Sequence, residues 1–589
     1  MNTIHTPVLI CGGGGAGLSL SIFLSAHGVE SMLVERHATT SHLPKAHYLN
    51  QRTMEIFREH GLADTVTARG TPFENMGCVA WMTSLGGDGP VDGKTLYKMD
   101  AFGGGTLAKT YDADSPVRSG NLPLIRLEPV LRTQAEASDL ADLRFSHELL
   151  DYVQDADGVT SRVKNLDSGE EFEVRSQVLI GADRHRTVGP PLGIELHGPT
   201  NLVDMVATHL SADFSQYIDD DTPLIRWFSN PASGAWSSGA MVAMGPTHFD
   251  RRSEEWVFHF AFQPGDPDFN EADIAPKIKA LLKTPDVDIA VHKVSHWIVE
   301  CVLANHYGKD RVWVIGDAAH RHPPTTGLGL NSGIQDAHNL AWKIAAVVKG
   351  AAHLDLLKTY EAERRPVAER NTQWALFTFM NHFVIEPGFG IVPGAPPEAN
   401  MAAFMTLLAD GWQGDFARRR MHEVLNTQRI EFQAHDIELG FAYETGAVMP
   451  DGSQPPQHAP MGDHYTPTTR PGHRLPHAWL TRRDGRKIST HDLCGRGQFT
   501  VFIGTQGHAW EVAARLAGER FGVNLVVHMI GDEAAYRDDD GDWARLREID
   551  ADGAIVVRPD THVGWRCKGH VDNATDLLCA AMARMLGKG

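Results

Sequence analysis

Residues 7–11 read PVLIC and lead directly into Gly12-Gly13-Gly14-Gly15-Ala16-Gly17. The first stretch is a continuous apolar run of the kind that forms a buried parallel strand. Residues 18–26 (LSLSIFLSA) predict a helix, and residues 30–34 (ESMLV) predict a second strand that ends at Glu35. Strand, glycine turn, helix and strand in this order are typical of a dinucleotide-binding βαβ unit.

The glycines of this turn have separate expected roles. Gly12 permits the tight turn, Gly14 lets the backbone approach a pyrophosphate, and Gly17 lets the helix pack closely on the strand. Gly15 and Ala16 complete the turn at the helix N-terminus, where a pyrophosphate is favoured. A flexible loop beside a core strand is the alternative, but it leaves the acidic residue after the second strand unexplained. That residue, Glu35, is placed to accept hydrogen bonds from a ribose, and Arg36 beside it is a further cofactor-binding candidate.

Composition limits the partners and the cell compartment. The formal net charge of -20 argues against nucleic acid and membrane surfaces as partners. No apolar run is long enough to span a membrane. The six cysteines are scattered without a CxxC pair, and the N-terminus lacks a signal-peptide pattern, so we expect a cytoplasmic protein with free thiols. No HExxH spacing occurs, and we expect no metal site.

A second motif lies in the middle of the chain. Residues 311–316 (RVWVIG) predict a strand that leads into Asp317, then a Pro/Gly loop through Pro323, and then a helix over 334–348. Asp317 at the strand end suits a polyol ligand. The loop feeds a helix N-terminus, which favours a partial negative charge.

The segment 316–343, GDAAHRHPPTTGLGLNSGIQDAHNLAWK, resembles the second FAD-binding motif of the aromatic-ring hydroxylases. This is the p-hydroxybenzoate hydroxylase superfamily, and the likeness is to its phenol hydroxylase and 2,4-dichlorophenol 6-monooxygenase type. The resemblance implies that Asp317 binds the ribityl chain and that Pro323 lies near the isoalloxazine. It also implies that the loop at Gly329 offers backbone groups of Leu330 and Asn331 to the pyrimidine side.

Three other stretches extend the resemblance. Residues 42–55 place Lys45 where the family has a basic residue near FAD. Residues 122–131 (LPLIRLEPVL) resemble a helix that usually begins LPQ, so Leu124 replaces an expected glutamine, while Arg126 remains a candidate FAD contact. Residues 181–187 (GADRHRT) resemble the family's GADGxxS motif. Asp183 is kept there as a cofactor-binding candidate.

Arg184 stands where that motif has glycine, and Thr187 stands where it has serine. Because glycine serves where the backbone needs unusual torsions, we expect a reshaped turn. The motif is linked to FAD and nicotinamide binding in the family, so the change bears on NAD(P)H handling.

The pattern of predicted elements gives an α/β fold. We expect a Rossmann-like FAD domain interrupted by an antiparallel β-sheet substrate domain, and a C-terminal thioredoxin-like domain that lacks a CxxC pair. The expected divisions are an FAD-binding domain in two parts, a substrate domain, a helical connection and the thioredoxin-like domain: 1–194 and 296–385, 195–295, 386–445, and 446–589.

The resemblance implies a flavin-dependent monooxygenase. In that reaction NADH or NADPH reduces FAD, O2 forms a C4a-hydroperoxyflavin, and one oxygen is transferred to a phenolic ring. His47 aligns with an active-site aspartate of phenol hydroxylase, and an imidazole pKa near ~6.5 suits a general base. The alternative is a histidine that only packs beside the flavin. Trp227 is a candidate for the substrate pocket, with ordinary sheet core as its alternative.

Other functions remain open from the sequence. The same scaffold could serve an epoxidase, a halogenase or a reductase, although the WxWxIP motif of halogenases is absent. Arg184 and Leu124 also leave room for a flavoprotein that no longer handles NAD(P)H. A small phenolic substrate and a homodimer are expected from the resemblance alone.

Overall fold

The fold is built on a mainly parallel sheet. The structure is a computed structural model that describes residues 3–230, 238–262, 270–392 and 395–588. The first strand, Thr3–Cys11, pairs in parallel with Ser31–Glu35 on one side and with Glu171–Gly181 on the other. Val8, Leu9 and Ile10 are fully buried, as expected for a central strand covered on both faces. The eight strands of this sheet are Gly308–Lys309, Val312–Val314, Glu171–Gly181, Thr3–Cys11, Ser31–Glu35, Ala141–Phe145, His147–Gln154 and Val159–Asn165.

The parallel strands end at one edge of this sheet. Register pairs Cys11 with both Val34 and Gly181, and Gly181 with Val314. The loops that follow these strands therefore meet in one place, which is where α/β sheets bind ligands.

A second, largely antiparallel sheet of seven strands covers this edge. In order, its strands are Ala290–Ile298, Asp204–Ser211, Glu255–Phe262, Ser238–Gly245, Pro223–Ser229, Cys78–Met82 and Thr95–Asp100. The last two strands lie within residues 1–194, which the sequence-based division assigned to the FAD domain, and that division stays a prediction. They join this sheet because Cys78–Met82 pairs in parallel with Pro223–Ser229, a long-range pairing that has no local sequence signal.

Helices pack on the first sheet and connect it to the C-terminal region. In the part of the chain that is described, the α-helices before that region are Gly15–Ala26, Gln51–Glu59, Ala63–Arg69, Ala108–Asp114, Leu124–Glu136, Ile274–Leu282, Leu328–Val348, Lys358–Asn381, Ile385–Gly388, Pro397–Leu408, Trp412–Leu425, Arg429–Phe432 and His435–Leu439. Among the described residues, no helix combines the length and the apolar character needed to cross a membrane.

Two smaller sheets complete the first part of the chain. One contains Leu196–His197, Val302–Ala304 and His320–Arg321, and the other contains Tyr48–Leu49 and Gly120–Asn121.

The C-terminal region has its own α/β core. Phe499–Ile503 pairs in parallel with Leu525–Met529 and antiparallel with Ala554–Val557, which in turn pairs with Val563–Cys567. The remaining elements are the helices His508–Phe521, Asp542–Leu546 and Ala574–Met585 and the strands Trp479–Arg482, Lys487–Ser489 and Tyr536–Arg537. The α/β fold is confirmed, whereas the thioredoxin-like character of this region stays a prediction.

Candidate active site

A cavity of about 830 Å³ opens where the parallel strands end. Several residues selected from the sequence line it: Gly12, Gly14, Glu35, Arg36 and Asp183. The glycine turn and the acid after the second strand therefore meet, as the βαβ pattern predicts.

Steric contacts explain why this turn needs glycine. Gly12 has φ +116°, and a Cβ there would lie 2.3 Å from the Ala182 carbonyl oxygen. A Cβ on Gly17 would lie 2.0 Å from the Gly12 oxygen. At Gly14 the nearest atom to such a Cβ is 3.6 Å away, on Glu128. The turn is tightly packed on the strand side and open on the cavity side, where a pyrophosphate would approach.

The helix that follows begins without a side-chain cap. Gly14 is its N-cap residue and supplies no side-chain hydrogen bond. The first backbone N–H groups of a helix have no intrahelical acceptor, and together with the helix dipole they attract an anion. This helix end fits the pyrophosphate of a dinucleotide.

Glu35 and Asp183, which both line the first cavity, differ in how fully their oxygens are hydrogen-bonded. Glu35 accepts hydrogen bonds from the backbone N–H of Gly13 and of His37, both at 2.8 Å. Asp183 Oδ2 accepts from Thr187 N at 2.6 Å, whereas its Oδ1 is buried without a hydrogen-bond partner. A buried acceptor without a partner is costly, and a ligand hydroxyl would satisfy it.

Glu128 is a cavity residue that the sequence analysis missed. It lines the first cavity, and its carboxylate accepts from Ser41 N at 2.8 Å. Burial raises the pKa of Glu128 to about 7. It lies two positions after Arg126 on the helix Leu124–Glu136. The stretch LPLIRLEP, which the sequence analysis had singled out, therefore does contribute a cavity residue.

A second cavity of about 590 Å³ lies beside the first, since Arg184 lines both. Its wall includes six of the residues selected from the sequence: Lys45, His47, Asp317, Pro323, Gly329 and Leu330. The helix Leu328–Val348 begins at this wall, after Gly327 in the left-handed conformation (φ 64°). Its free N–H groups suit the electron-rich edge of a flavin ring.

Asn331 contributes to this wall from behind. Its Nδ2 donates to the Tyr48 oxygen at 3.0 Å and to the Gly327 oxygen at 2.7 Å, while its Oδ1 accepts from Asn50 N at 3.1 Å. The side chain is saturated by the protein, so only its backbone N–H is available to a ligand.

The backbone at Arg184 has a conformation that favours glycine, since Arg184 and His185 both have positive φ, 57° and 67°. The expected reshaping of the turn stays a prediction. The Arg184 guanidinium lies 3.5 Å from Asp317 Oδ2. It therefore lies beside the carboxylate that the resemblance assigns to the ribityl chain. Burial lowers the pKa of Lys45, and the Arg184 charge lowers it further.

Gly15 and Ala16 act in packing, since they do not line either described cavity. A Cβ on Gly15 would meet Leu330 Cδ1 at 2.7 Å. The Ala16 methyl lies 3.2 Å from the position of a Cβ on Gly316 and 3.3 Å from that of one on Gly333. These small residues let the first helix contact the flavin-side loop.

The structure places Arg126 outside both described cavities. Its Nη2 donates to Glu255 Oε2 at 2.5 Å, and its Nε donates to the Met244 oxygen at 3.2 Å. The guanidinium thus ties its helix to the second sheet, and an FAD contact by Arg126 stays a prediction. The acceptors belong to strands far along the chain, which a local motif does not reveal.

Trp227 also lies away from the described cavity walls. Its ring contacts His382 at a centroid distance of 5.0 Å. Ile225, on the same face of the strand, lines the second cavity. The strand and the face that the sequence indicated therefore border the cavity, and a substrate contact by Trp227 itself stays a prediction.

His47 is held in one orientation at the second cavity. Its Nδ1 lies 2.5 Å from Asn121 Oδ1, and Asn121 Nδ2 donates to Thr71 Oγ1 at 2.7 Å. Because the amide oxygen only accepts, Nδ1 carries the proton and Nε2 keeps a free lone pair. Burial lowers the pKa of His47, and the hydrogen bond to Asn121 opposes this change.

Other polar groups at this end of the cavity were missed from the sequence. Burial lowers the pKa of His259 to about 4, and His259 Nδ1 is buried without a hydrogen-bond partner. Tyr48 donates its hydroxyl to Glu438 at 2.7 Å, and burial raises the pKa of Glu438 to about 7. These residues come from separate elements, and no motif joins them.

His322 faces the second cavity from the flavin-motif loop. Both of its ring nitrogens are buried without a hydrogen-bond partner, and burial lowers its pKa well below the usual value. Behind it, Asp336 accepts from Arg364 Nε at 2.8 Å and lies 2.7 Å from His320 Nε2. The loop therefore packs on side chains that are hydrogen-bonded to one another, and it presents the unpaired ring nitrogens of His322 to the cavity.

Taken together, the two cavities define a dinucleotide-cofactor enzyme whose cofactor reaches from the glycine turn to the substrate sheet. Residues 5–375 match the FAD binding domain family, and residues 468–589 match the aromatic-ring hydroxylase C-terminal family. The chain belongs to the FAD-dependent aromatic-ring hydroxylases.

Two curated relatives match this chain over nearly its full length. The chain is 34% identical to 2,4-dichlorophenol 6-monooxygenase of Delftia acidovorans, covering 99% of this chain and 98% of that protein. It is 33% identical to phenol 2-monooxygenase of Pseudomonas sp. (strain EST1001), covering 97% and 91%.

A solved structure of the flavin-dependent monooxygenase PieE with FAD and substrate superposes with a TM-score of 0.93 at 37% identity, over 100% of both chains. The protein is an FAD-dependent aromatic monooxygenase.

Proposed function

We propose that the protein uses NADH or NADPH and O2 to hydroxylate a small phenolic ring, with His47 as the base that removes the phenol proton. The observation that carries the proposal is the free Nε2 of a half-buried imidazole on the cavity beside the flavin-motif loop. The names of the relatives, which include phenol and dichlorophenol enzymes, support the substrate class.

The residues present fit FAD. The open side of Gly14 and the uncapped helix suit the pyrophosphate, and Glu35 suits the adenosine ribose. The free Asp183 Oδ1 and the loop around Pro323 and Gly329 would hold the remainder. When bound, FAD supplies the redox chemistry that activates oxygen.

His47 would act on the substrate hydroxyl. The substrate hydroxyl donates a hydrogen bond to His47 Nε2. The proton then moves to the imidazole, while Nδ1 keeps its hydrogen bond to Asn121. The resulting phenolate pushes electrons to its ortho and para carbons, which makes them reactive toward an electrophilic oxygen. Because burial lowers the pKa of His47, the imidazole stays neutral at pH values somewhat below the usual imidazole pKa. It can therefore accept a proton there.

Apolar side chains would keep water from the reacting ring. Phe102, Ile225 and Phe432 line the same cavity as His47. Excluding water protects reactive oxygen species from decay and strengthens the polar contacts that remain.

The donor, the assembly and the compartment are part of the proposal. With one glycine-rich fingerprint in the sequence, we propose that the nicotinamide binds only transiently over the flavin. We also propose a homodimer and a cytoplasmic location, as expected from the resemblance and the free thiols. The route by which oxygen reaches the ring stays a prediction.

The test compares His47→Ala with the wild type under oxygen and a panel of phenols. We expect turnover at neutral pH to fall about 10²- to 10⁴-fold, with FAD content unchanged. Raising the pH toward the phenol pKa, about 10 for a tyrosine-like ring, should restore much of the rate, because the substrate then ionises without a base.

The exposed His197→Ala serves as the matched control and should behave as the wild type. Wild-type coupling of NAD(P)H oxidation to product in His47→Ala would remove His47 from the mechanism. If neither nicotinamide bleaches the bound flavin in the presence of any phenol, the proposed donor is wrong.

A further inference from the structure

A second cluster of metal-ligand side chains lies away from the cofactor cavities. Glu59, His60 and His338 each offer one ligand atom, and these atoms all lie within 4.8 Å of one another. Glu59 Oε2 lies 3.2 Å from His338 Nε2, and Glu59 Oε1 lies 3.8 Å from His60 Nε2. The spacing is close to that of ligands around one small cation, whose bonds of about 2.0–2.2 Å place neighbouring ligands slightly over 3 Å apart.

The cluster is closed to solvent. The side chains of His60 and His338 are 3% exposed, and that of Glu59 is 8% exposed. His60 Nε2 is buried with no hydrogen-bond partner. A buried ring nitrogen directed at a carboxylate but too far away to bond it is an unmet polar group, and a cation between the two would satisfy both.

The rings are fixed by packing before any ligand binds. His60 stacks on Phe23 at a centroid distance of 4.3 Å, and His338 meets the edge of the same ring at 5.5 Å. The planes of the two imidazoles are 87° apart. Such rigidity lowers the ordering cost of coordination, which favours tight binding.

The backbone around the cluster also favours a cation. Glu59 ends the helix Gln51–Glu59, and His60 is its C-cap residue. A helix C-terminus carries partial negative charge from its free carbonyl groups. His338 lies on the helix Leu328–Val348, so the cluster joins the helix Gln51–Glu59 to the helix that begins at the wall of the second cavity.

The C-terminal region closes the third side. The Arg496 backbone N–H donates to Glu59 Oε1 at 3.1 Å. Gly495 is in the left-handed conformation (φ +80°), and a Cβ there would lie 2.2 Å from the same oxygen. The loop approaches Glu59 through its backbone, and no described salt bridge from a lysine or arginine neutralises this carboxylate.

We propose that Glu59, His60 and His338 bind one divalent transition-metal ion of the zinc type, which fastens the helices Gln51–Glu59 and Leu328–Val348 to the C-terminal region. Two imidazoles and a carboxylate form a donor set that suits Zn²⁺, whereas Ca²⁺ and Mg²⁺ prefer oxygen ligands. Binding releases the proton that His338 Nε2 shares with Glu59. Water takes the fourth position.

Sequence spacing does not reveal this arrangement. Glu59 and His338 are 279 positions apart, and neither lies in a metal-binding motif. The expectation of no metal site came from short motifs, so the proposal departs from it on the basis of tertiary geometry alone.

The first experiment uses full-length, FAD-loaded protein without a histidine tag. Metal is removed with a chelator, the chelator is removed, and Zn²⁺ is titrated by calorimetry. We expect one Zn²⁺ per chain and a rise in the thermal unfolding midpoint. Zinc-edge X-ray absorption should show a shell of N and O ligands at about 2.0–2.1 Å. Failure of the stripped wild type to bind Zn²⁺ at micromolar concentrations would overturn the proposal.

Variants assign the binding to these residues. His338→Gln and His60→Gln keep a polar side chain of similar reach, and each should lose at least about a hundredfold in Zn²⁺ affinity, since even outer contacts of a metal site are worth 10- to 100-fold. His353→Gln, an exposed histidine after the same helix, should bind as the wild type. Equal Zn²⁺ binding by all three variants would place the metal elsewhere and disprove this site.

Discussion

The cofactor cleft differs from the joint, by which we mean the buried ion pairs that connect Glu363 and Glu55 to the C-terminal region. Both regions bury polar and charged side chains, but those of the joint are paired, whereas several in the cleft are not. In the joint, Glu363 receives both Nη groups of Arg558 at 2.8 Å and Lys343 Nζ at 2.7 Å, and all three side chains are fully buried. In the cleft, Asp183 Oδ1 and both nitrogens of His322 are buried without partners. Saturated groups lock the fold, whereas unsaturated groups mark where a ligand completes the structure.

A second ionic group strengthens the same joint. Arg474 donates to both carboxylate oxygens of Glu55, and Arg52 Nη1 donates to Glu55 at 3.0 Å. Arg52 also donates to the Asp560 backbone oxygen at 2.8 Å. The C-terminal region is therefore attached through buried charge pairs, and these pairs depend on each other.

Breaking the joint should give the largest loss of stability. Arg558→Met leaves Glu363 and Asp560 buried without their main cation, which costs about 3–5 kcal/mol for a buried pair. We expect urea unfolding to shift to lower denaturant by that free energy, while the flavin content at low temperature is unchanged.

The exposed pair Lys358 and Asp355 provides the control, because both side chains are about two-thirds exposed (65% and 66%). Asp355→Asn should cost at most about 1 kcal/mol. Equal losses in Arg558→Met and Asp355→Asn would show that burial of the joint is not what stabilises it.

The cleft should fail through its glycine turn. Gly12→Ala adds a methyl 2.3 Å from a carbonyl oxygen at φ +116°, and strain of this kind costs about 1–3 kcal/mol in addition to the overpacking. At about 3 kcal/mol, FAD affinity falls more than a hundredfold. The purified variant should lack the visible flavin bands.

Gly169→Ala is the matched control, since Gly169 also has positive φ (+77°) but no atom lies within 4 Å of the added methyl. It should keep its flavin. Normal flavin content in Gly12→Ala would mean that the turn can move away from Ala182, contrary to the packing.

Acid should weaken the joint through its buried histidines. Burial lowers the pKa of His491 to about 4, whereas the unfolded ring titrates near 6.5. Below pH 6.5 the unfolded chain therefore binds more protons than the folded chain, and stability falls as the pH decreases. Between pH 7 and 5 this residue alone accounts for about 2 kcal/mol.

His491→Gln keeps an N–H group for the Leu475 oxygen, to which His491 Nε2 bonds at 2.7 Å. Denaturant unfolding at several pH values should show a shallower decline for this variant, by about 2 kcal/mol over the same range. An identical slope in both proteins would place the proton uptake at other residues.

The sequence predicted those parts of the molecule that depend on neighbouring residues. The turn at Gly12 and the strand before it are local patterns, and both are present. The helix predicted over 334–348 is also present, but it begins six residues earlier, at Leu328. Arg126 shows the limit. The helix was recognised, but Glu255 and the Met244 carbonyl hold its guanidinium, and no local pattern encodes those partners.

The same limit applies to the substrate end. His259, Glu438 and Phe432 approach His47 and Tyr48 only after the second sheet and the helical connection fold over the cavity. Their positions depend on long-range pairing, such as that between Cys78–Met82 and Pro223–Ser229. Function and the wall residues that lie in motifs could be predicted, whereas the wall residues that come from the second sheet and the helical connection could not.

The smallest expected effect lies between the two regions, at Arg184. An arginine in the left-handed conformation (φ 57°) stores about 1 kcal/mol that glycine would not. Arg184→Ala removes the guanidinium near Asp317 but keeps the Cβ, whereas Arg184→Gly removes both. We expect the glycine variant to be about 1 kcal/mol more stable than the alanine variant in denaturant unfolding, with both retaining FAD. Because the Arg184 and Asp317 side chains are 63% and 52% exposed, their ion pair contributes little. Equal stability of the two variants would show that the turn relaxes without strain, and the departure from the family's glycine would then be neutral for the fold.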